Sequence, residues 1–178
     1  MSYLWQQANR EEEMRLEDIK PIAEKYRKIF QPYCSRVAIA GSIRREKSEC
    51  KDIELVVIPN TYHLEEYFID NRSKWNIQKN GGKYKQIKLI ESVNLDLFIC
   101  TSKTWAMNYF IRTGSAKFVH DFMIKIQKKG FCSRDAQLRE LLPDTGGEGI
   151  GEIIPLKEEI DIFNNIGMKW VEPKDREK

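Results

Sequence analysis

Asp52 and Glu54 stand two positions apart at the head of an apolar run, and a third acid, Asp96, sits inside a second run, Asn94–Cys100. On a β-strand, residues two apart share a face, with Cα atoms about 7 Å from each other. A third carboxylate from a neighbouring strand, about 4.8 Å away, would complete an oxygen-rich site for a hard cation. Asp96 is the candidate, because it is the only acid inside its run. Three such acids within a sheet repel one another unless cations hold them, and Mg²⁺ would also neutralise substrate phosphates. Ahead of the pair comes Gly41-Ser42-Ile43-Arg44-Arg45. Glycine lets a backbone approach a phosphate closely, and serine and arginine hold phosphate oxygens. A lone D-x-E is more often a surface pair at a strand end. Coupled to this turn and to a third strand acid, it reads as phosphate plus metal. The chemistry is two-metal phosphoryl or nucleotidyl transfer: one cation lowers the pKa of an attacking hydroxyl and the other holds the triphosphate.

Competing motifs are missing. No GxGxxG or phosphate-loop pattern takes the phosphate role, and neither His63 nor His120 has the partner pattern of a nucleophilic triad. The glycines of Asp144–Gly151 lack Lys and Ser/Thr at phosphate-loop positions, so a hairpin or flexible loop is expected there.

The elements that must position these groups follow from periodicity. Leu16, Ile19, Ile22, Ala23, Tyr26 and Ile29 step by threes and fours, which predicts a helix over about Asn9–Phe30, kinked or split at Pro21 and stopped at Pro32. Val37–Ala40 predicts the first strand, Gly41-Ser42 a turn, and Asp52–Ile58 a covered central strand ended by Pro59. Tyr62–Asn71 reads as a helix. Asn80-Gly81-Gly82 predicts a hairpin joining Trp75–Lys79 to Lys83–Ile90, with Lys83, Lys85 and Lys88 along its edge. In Asn94–Cys100, Asn94, Asp96 and Phe98 face one way and Leu95, Leu97 and Ile99 the other. Helices then follow over Trp105–Phe110, Ala116–Lys128 and Leu156–Gly167. The first two are separated by Thr113-Gly114-Ser115, and Ile160, Phe163 and Ile166 form the core stripe of the third. A boundary between a strand-rich and a helix-rich half is expected near residues 101–104.

Composition is compatible with this. The 178 residues are 32% charged and 41% hydrophobic with a net charge of +3, which suits a globular protein and permits nucleic-acid binding without requiring it. No apolar stretch reaches membrane-spanning length, and Met1–Glu13 is not a signal-peptide pattern. The four cysteines lack zinc-ligand spacing and are expected as reduced thiols of an intracellular protein, whether cytoplasmic or at the nucleoid or nucleus.

Gly41-Ser42-x-Arg44-Arg45 followed by Asp52-x-Glu54 resembles the nucleotidyltransferase signature in its family X DNA polymerase form. Leu95-Asp96-Leu97 resembles the strand of the third carboxylate. Arg112-Thr113-Gly114-Ser115 is similar to the family's T-G-S turn between palm and thumb. Ile160-Asp161-Ile162-Phe163 and Glu172-Pro173-Lys174-Asp175-Arg176 look like the polymerase β C-terminus.

That resemblance implies an α/β (α+β) fold: a nucleotidyltransferase palm with a mixed sheet over residues 1–103, then a small helical thumb with a β-hairpin over 104–178. It implies a monomer that adds a dNMP to a primer 3′-hydroxyl on gapped or primer–template DNA, using two Mg²⁺ with Mn²⁺ as a substitute. Asp52 and Glu54 would bridge both ions, and Asp96 would hold the one that activates the hydroxyl. Gly41, Ser42, Arg45 and the Lys51 backbone would hold the phosphates, and Thr113, Gly114 and Ser115 would meet the sugar. Lys83, Lys85 and Lys117 would contact DNA. Lyase activity on 5′-deoxyribose phosphate is not expected, since no segment corresponds to a lyase domain. The chain also departs from the pattern. Glu54 stands where Asp is usual, Asn94 replaces an arginine, Ile111-Arg112 stand where Tyr-Phe is expected, and Ala116 and Val119 replace polar residues. Two other functions stay open: nucleotidyl transfer to RNA ends, a protein or a small molecule, and non-catalytic nucleic-acid binding.

Overall fold

The computed structural model describes residues 13–142 and 149–177. A strand that is apolar on both faces needs hydrogen-bonded neighbours on both sides, and β4 (Asp52–Pro59) has them. On one side β2 (Cys34–Ile39) runs antiparallel to it; on the other, β7 (Asn94–Ile99) runs parallel. Next to β7 lies β6 (Tyr84–Lys88), and then β5 (Asn76–Asn80), giving a mixed five-stranded sheet of order β2-β4-β7-β6-β5. The expected hairpin is the β5–β6 pair.

The two faces of the sheet differ sharply. Ile53, Leu55 and Val57 of β4 join Leu95, Leu97 and Ile87 beneath α1 (Leu16–Phe30) and α3 (His63–Asp70). On α1, Ile19, Ala23, Tyr26 and Phe30 are buried at helical spacing. An aromatic group of Phe30, Tyr67, Phe68 and Trp75 closes that layer. The opposite face carries Asp52, Glu54 and Asp96 and then becomes apolar, where Val56 and Phe98 pack with Trp105.

Three expectations are corrected here. First, α1 is not split: it runs as one helix through Pro21. The proline lies close to the helix start and removes a single i→i−4 bond. Residues 9–12 lie outside the described residues, and Met14–Arg15 form a short strand, β1, paired with β3 (Glu49–Cys50). Second, Lys85 is not at an edge. It pairs with Leu97 between two strands and shares the inward face with Ile87. It is 2% exposed, donates to Asn80 Oδ1 at 2.5 Å and to Glu65, and lies over the Phe68 ring. A lysine enclosed in this way cannot reach a nucleic acid, so it leaves the DNA-facing set. Third, Ile160 is 44% exposed, and Ile162 takes its expected place in the core.

The C-terminal half comprises α4 (Trp105–Thr113), α5 (Ala116–Lys128), an antiparallel sheet and α6 (Glu159–Asn165). The sheet has order β10-β9-β8, from β8 (Phe131–Arg134), β9 (Gln137–Leu141) and β10 (Ile150–Ile154). Of the expected Asp144–Gly151 loop, residues 144–148 lie outside the described residues and Ile150-Gly151 begin β10. Met107, Phe110, Phe122, Ile126, Ile162 and Phe163 form a second core. Helix α5 has its expected bounds. Ser115 caps its start by accepting from Phe118 N at 3.1 Å, and Gly130, with φ +84°, follows its end. Helix α4 belongs to both halves: Trp105 packs under the sheet, while Ala106, Met107 and Phe110 enter the second core. The fold is the expected α+β class. All four cysteines are free thiols, and no helix among the described residues is long and apolar enough to cross a membrane.

Candidate active site

The parallel register of β4 and β7 places Asp52 beside Asn94 and Glu54 beside Asp96. Strand alternation then puts all three acids on the face away from the main core. β6 runs along the far side of β7, with Gln86 opposite Asp96 and Tyr84 opposite Phe98. Tyr84 Oη and Gln86 Nε2 both donate to Asp96 Oδ1, at 2.8 and 3.0 Å. These two donors fix the carboxylate's orientation, and sequence reasoning missed them. The available signal was parity, since Tyr84 and Gln86 alternate with the inward-facing Lys85 and Ile87. Burial and the Asp96 carboxylate raise the Tyr84 pKa, so Tyr84 remains a donor.

Glu54 sits in an environment that disfavours its charge. Burial, then the charges of Asp52 and Asp96, push its pKa up to about 7, against a smaller pull downward from Arg45 and Arg112. Its carboxylate lies in a cradle over Gly41: a Cβ at that position would come 1.7 Å from Glu54 Oε2. Gly41 also has φ +62°, so both its backbone and its neighbour demand glycine. Among the described residues, no three His, Cys, Asp or Glu side chains are gathered as a ready-made metal cage. The donor set nevertheless suits a hard cation: three carboxylates share one face, and burial with the neighbouring acids makes one of them, Glu54, resist ionisation.

The raised Glu54 pKa gives a stability prediction. The folded chain holds the Glu54 proton more tightly than the unfolded chain, so ionisation costs stability as pH climbs from about 4.5 to about 7. In EDTA, Glu54→Gln should therefore be more stable than wild type at pH 8, by about 2–3 kcal/mol, and should lose that advantage near pH 4.5. Urea unfolding at the two pH values measures it. Equal stability of the two proteins at pH 8 would contradict the assigned environment.

Around the acids, helix α2 (Gly41–Arg44) and the Thr113-Gly114-Ser115 turn meet through arginines. Arg44 donates to Thr113 Oγ1 at 2.5 Å and to Glu159 at 2.6 Å, and stacks on Tyr109. Arg45 donates to the Thr113 carbonyl at 2.7 Å and to the Glu177 carboxylate. Gly114 is sterically required, because a Cβ there would come 2.6 Å from Val119 Cγ2. Ser42 is half-buried on α2. Lys51 is exposed and lies 3.6 Å from Glu13. The structure therefore sets Gly41 against Glu54 and joins Arg45 of the same segment to the Thr113 carbonyl, with Lys51 one residue before Asp52.

A cleft of about 1020 Å³ opens beside the acids, lined by Glu54, Asp96, Lys83, Asn108, Arg112 and Gln137 among others. It runs from the sheet to the β8–β9 hairpin. Tyr84 and Phe98 stack in its wall, and the Arg112 guanidinium lies 3.9 Å above the Phe98 ring. Lys83 is exposed at this cleft. Lys117 lies apart from it on α5, exposed and paired with Asp121 at 2.8 Å.

A mixed sheet with three acids on its open face, tied by arginines to a helical unit with its own small sheet, is the architecture of this α+β chain. Comparison with known families narrows the class. Residues 108–177 match the family model DNA polymerase beta thumb, which supports a family X polymerase-like identity. The match spans the T-G-S turn and the C-terminal segment. A thumb of this family implies DNA binding and a polymerase or nucleotidyltransferase as the kind of protein. No curated protein matches the chain.

Proposed function

We propose that this protein is a minimal template-directed DNA polymerase that adds a dNMP to a primer 3′-hydroxyl in short DNA gaps. One observation carries the reading: Glu54 and Asp96 face each other in register, with Asp52 on the same face, and arginines join this face to the polymerase β-type thumb. Residues 1–103 act as palm and 104–178 as thumb.

Asp52, Glu54 and Asp96 are the groups that would hold two Mg²⁺, or Mn²⁺ in their place. Bound there, the ions supply charge neutralisation of the triphosphate and a lowered pKa for the attacking hydroxyl. Asp96, held by Tyr84 and Gln86, is oriented to accept the proton of the primer hydroxyl. Arg45 and Ser42 bind phosphate oxygens, with the Lys51 backbone N–H beside them. The Thr113-Gly114-Ser115 turn presents backbone to the sugar, and Lys83 and Lys117 offer charge to the DNA backbone.

The test is extension of a one-nucleotide gapped duplex with each dNTP in turn. The templated base is incorporated with Mg²⁺ or Mn²⁺, and DNA affinity falls steeply with salt, with a slope of roughly −0.9 per phosphate neutralised. No extension with either metal overturns the reading. Untemplated transfer to an RNA end, a protein or a small molecule would replace it.

A further inference from the structure

The following inference rests on the reading of Arg45 as a phosphate ligand. Arg45 is only 11% exposed, and its own chain engages it from two sides: an N–H on the Thr113 carbonyl and Nε on Glu177. Glu177 reaches this position because of the residue before it. Arg176 is fully buried; it donates to Glu159 and to the Val171 carbonyl, and its own carbonyl accepts from Ser115 Oγ at 2.6 Å. Ser115 is also the cap of α5. A single helical turn, Pro173–Asp175, leads into this anchor. The Glu177 side chain itself is 39% exposed, so the anchor and not its own packing sets its position.

A carboxylate and a phosphate engage a guanidinium through the same fork of oxygen acceptors, so they compete for one arginine. We propose that Glu177 is a tethered anion that occupies Arg45 until the phosphates of a nucleotide displace it. The Arg176 anchor keeps the competitor at high local concentration, and its solvent exposure keeps the hold weak enough to release. A polyphosphate gains several contacts by the exchange, where a singly charged anion gains one. The latch therefore favours triphosphates over smaller anions. Apparent affinity is reduced by the fraction of molecules in which Arg45 is covered. A modest pair whose acid is 39% exposed leaves about a tenth to a third of molecules open, so its removal tightens binding about 3- to 10-fold.

Calorimetric titration of sodium tripolyphosphate into the full chain tests this. Glu177→Gln binds about 3- to 10-fold more tightly than wild type. In the Arg45→Gln background the same change has no effect, because the contested group is gone. Without ligand, the Arg45 Nε–H resonance shifts between wild type and Glu177→Gln. Equal affinities of wild type and Glu177→Gln overturn the latch and leave the polymerase reading intact, and an unmoved Arg45 resonance overturns it in the same way. Binding that Arg45→Gln does not weaken overturns both the latch and the phosphate role of Arg45. Tighter binding by Glu177→Gln in a protein that extends no primer supports the latch and removes the polymerase reading.

Discussion

Asp96→Asn should abolish primer extension while leaving the fold intact. Asparagine has nearly the same shape, and its carbonyl oxygen can accept the bonds that Tyr84 and Gln86 donate to Asp96 Oδ1. What the change removes is charge at the position beside Glu54, and with it the anion proposed to hold metal and to accept the hydroxyl proton. A loss of at least about 10³-fold in the single-turnover rate corresponds to about 4 kcal/mol of transition-state stabilisation. The melting temperature should hold or rise, because Asp96 is one of the two acids that make Glu54 costly to ionise. Rapid-quench extension on gapped DNA, read beside a thermal melt, separates the outcomes. A variant that kept near-normal turnover would remove Asp96 from the chemistry. One that lost both activity and melting temperature would make Asp96 a structural residue.

The site was legible wherever its signal was local. Asp52-x-Glu54 shares a face on any strand, and the alternation of Asn94–Cys100 put Asp96 on the same side as Phe98, as found. Turn chemistry gave the β5–β6 hairpin through Asn80-Gly81-Gly82. It failed for β8–β9, whose two-residue loop is Asp135-Ala136, with φ of 52° and 54°. Such a turn wants residues tolerant of positive φ, and alanine gives no hint of it. Lys85 shows the opposite failure. Its inward position followed from parity with Ile87, but its charge suggested an edge. The partners of Arg44 and Arg45 could not be read at all. Glu159 and Glu177 lie more than a hundred residues further along the chain, and no local pattern links them.

Arg176→Met should cost about 3–5 kcal/mol of stability, the range for breaking one side of a buried ion pair. Arg176 is fully buried, and burial pulls its pKa down against the charge and hydrogen bond of Glu159. Its guanidinium lies within 4.8–5.6 Å of the rings of Phe110, Phe118, Phe163 and Trp170, so its loss also removes aromatic contact from the second core. Glu159 would keep Arg44 at 2.6 Å as its remaining cationic partner. That residual pairing makes the effect testable as a coupling. Glu159→Gln alone should also destabilise, and the double variant should lose less than the sum, because the Arg176–Glu159 interaction is then lost once and not twice. Urea unfolding of the four proteins gives the cycle, and a loss below about 1 kcal/mol for Arg176→Met would contradict the anchor role. The same substitution also frees the residue that follows. With its anchor gone, Glu177 is no longer held at Arg45, so Arg176→Met should bind tripolyphosphate more tightly at temperatures where it stays folded. A protein that loses stability and gains phosphate affinity through one buried arginine is one in which the thumb core and the phosphate site compete for the same short segment.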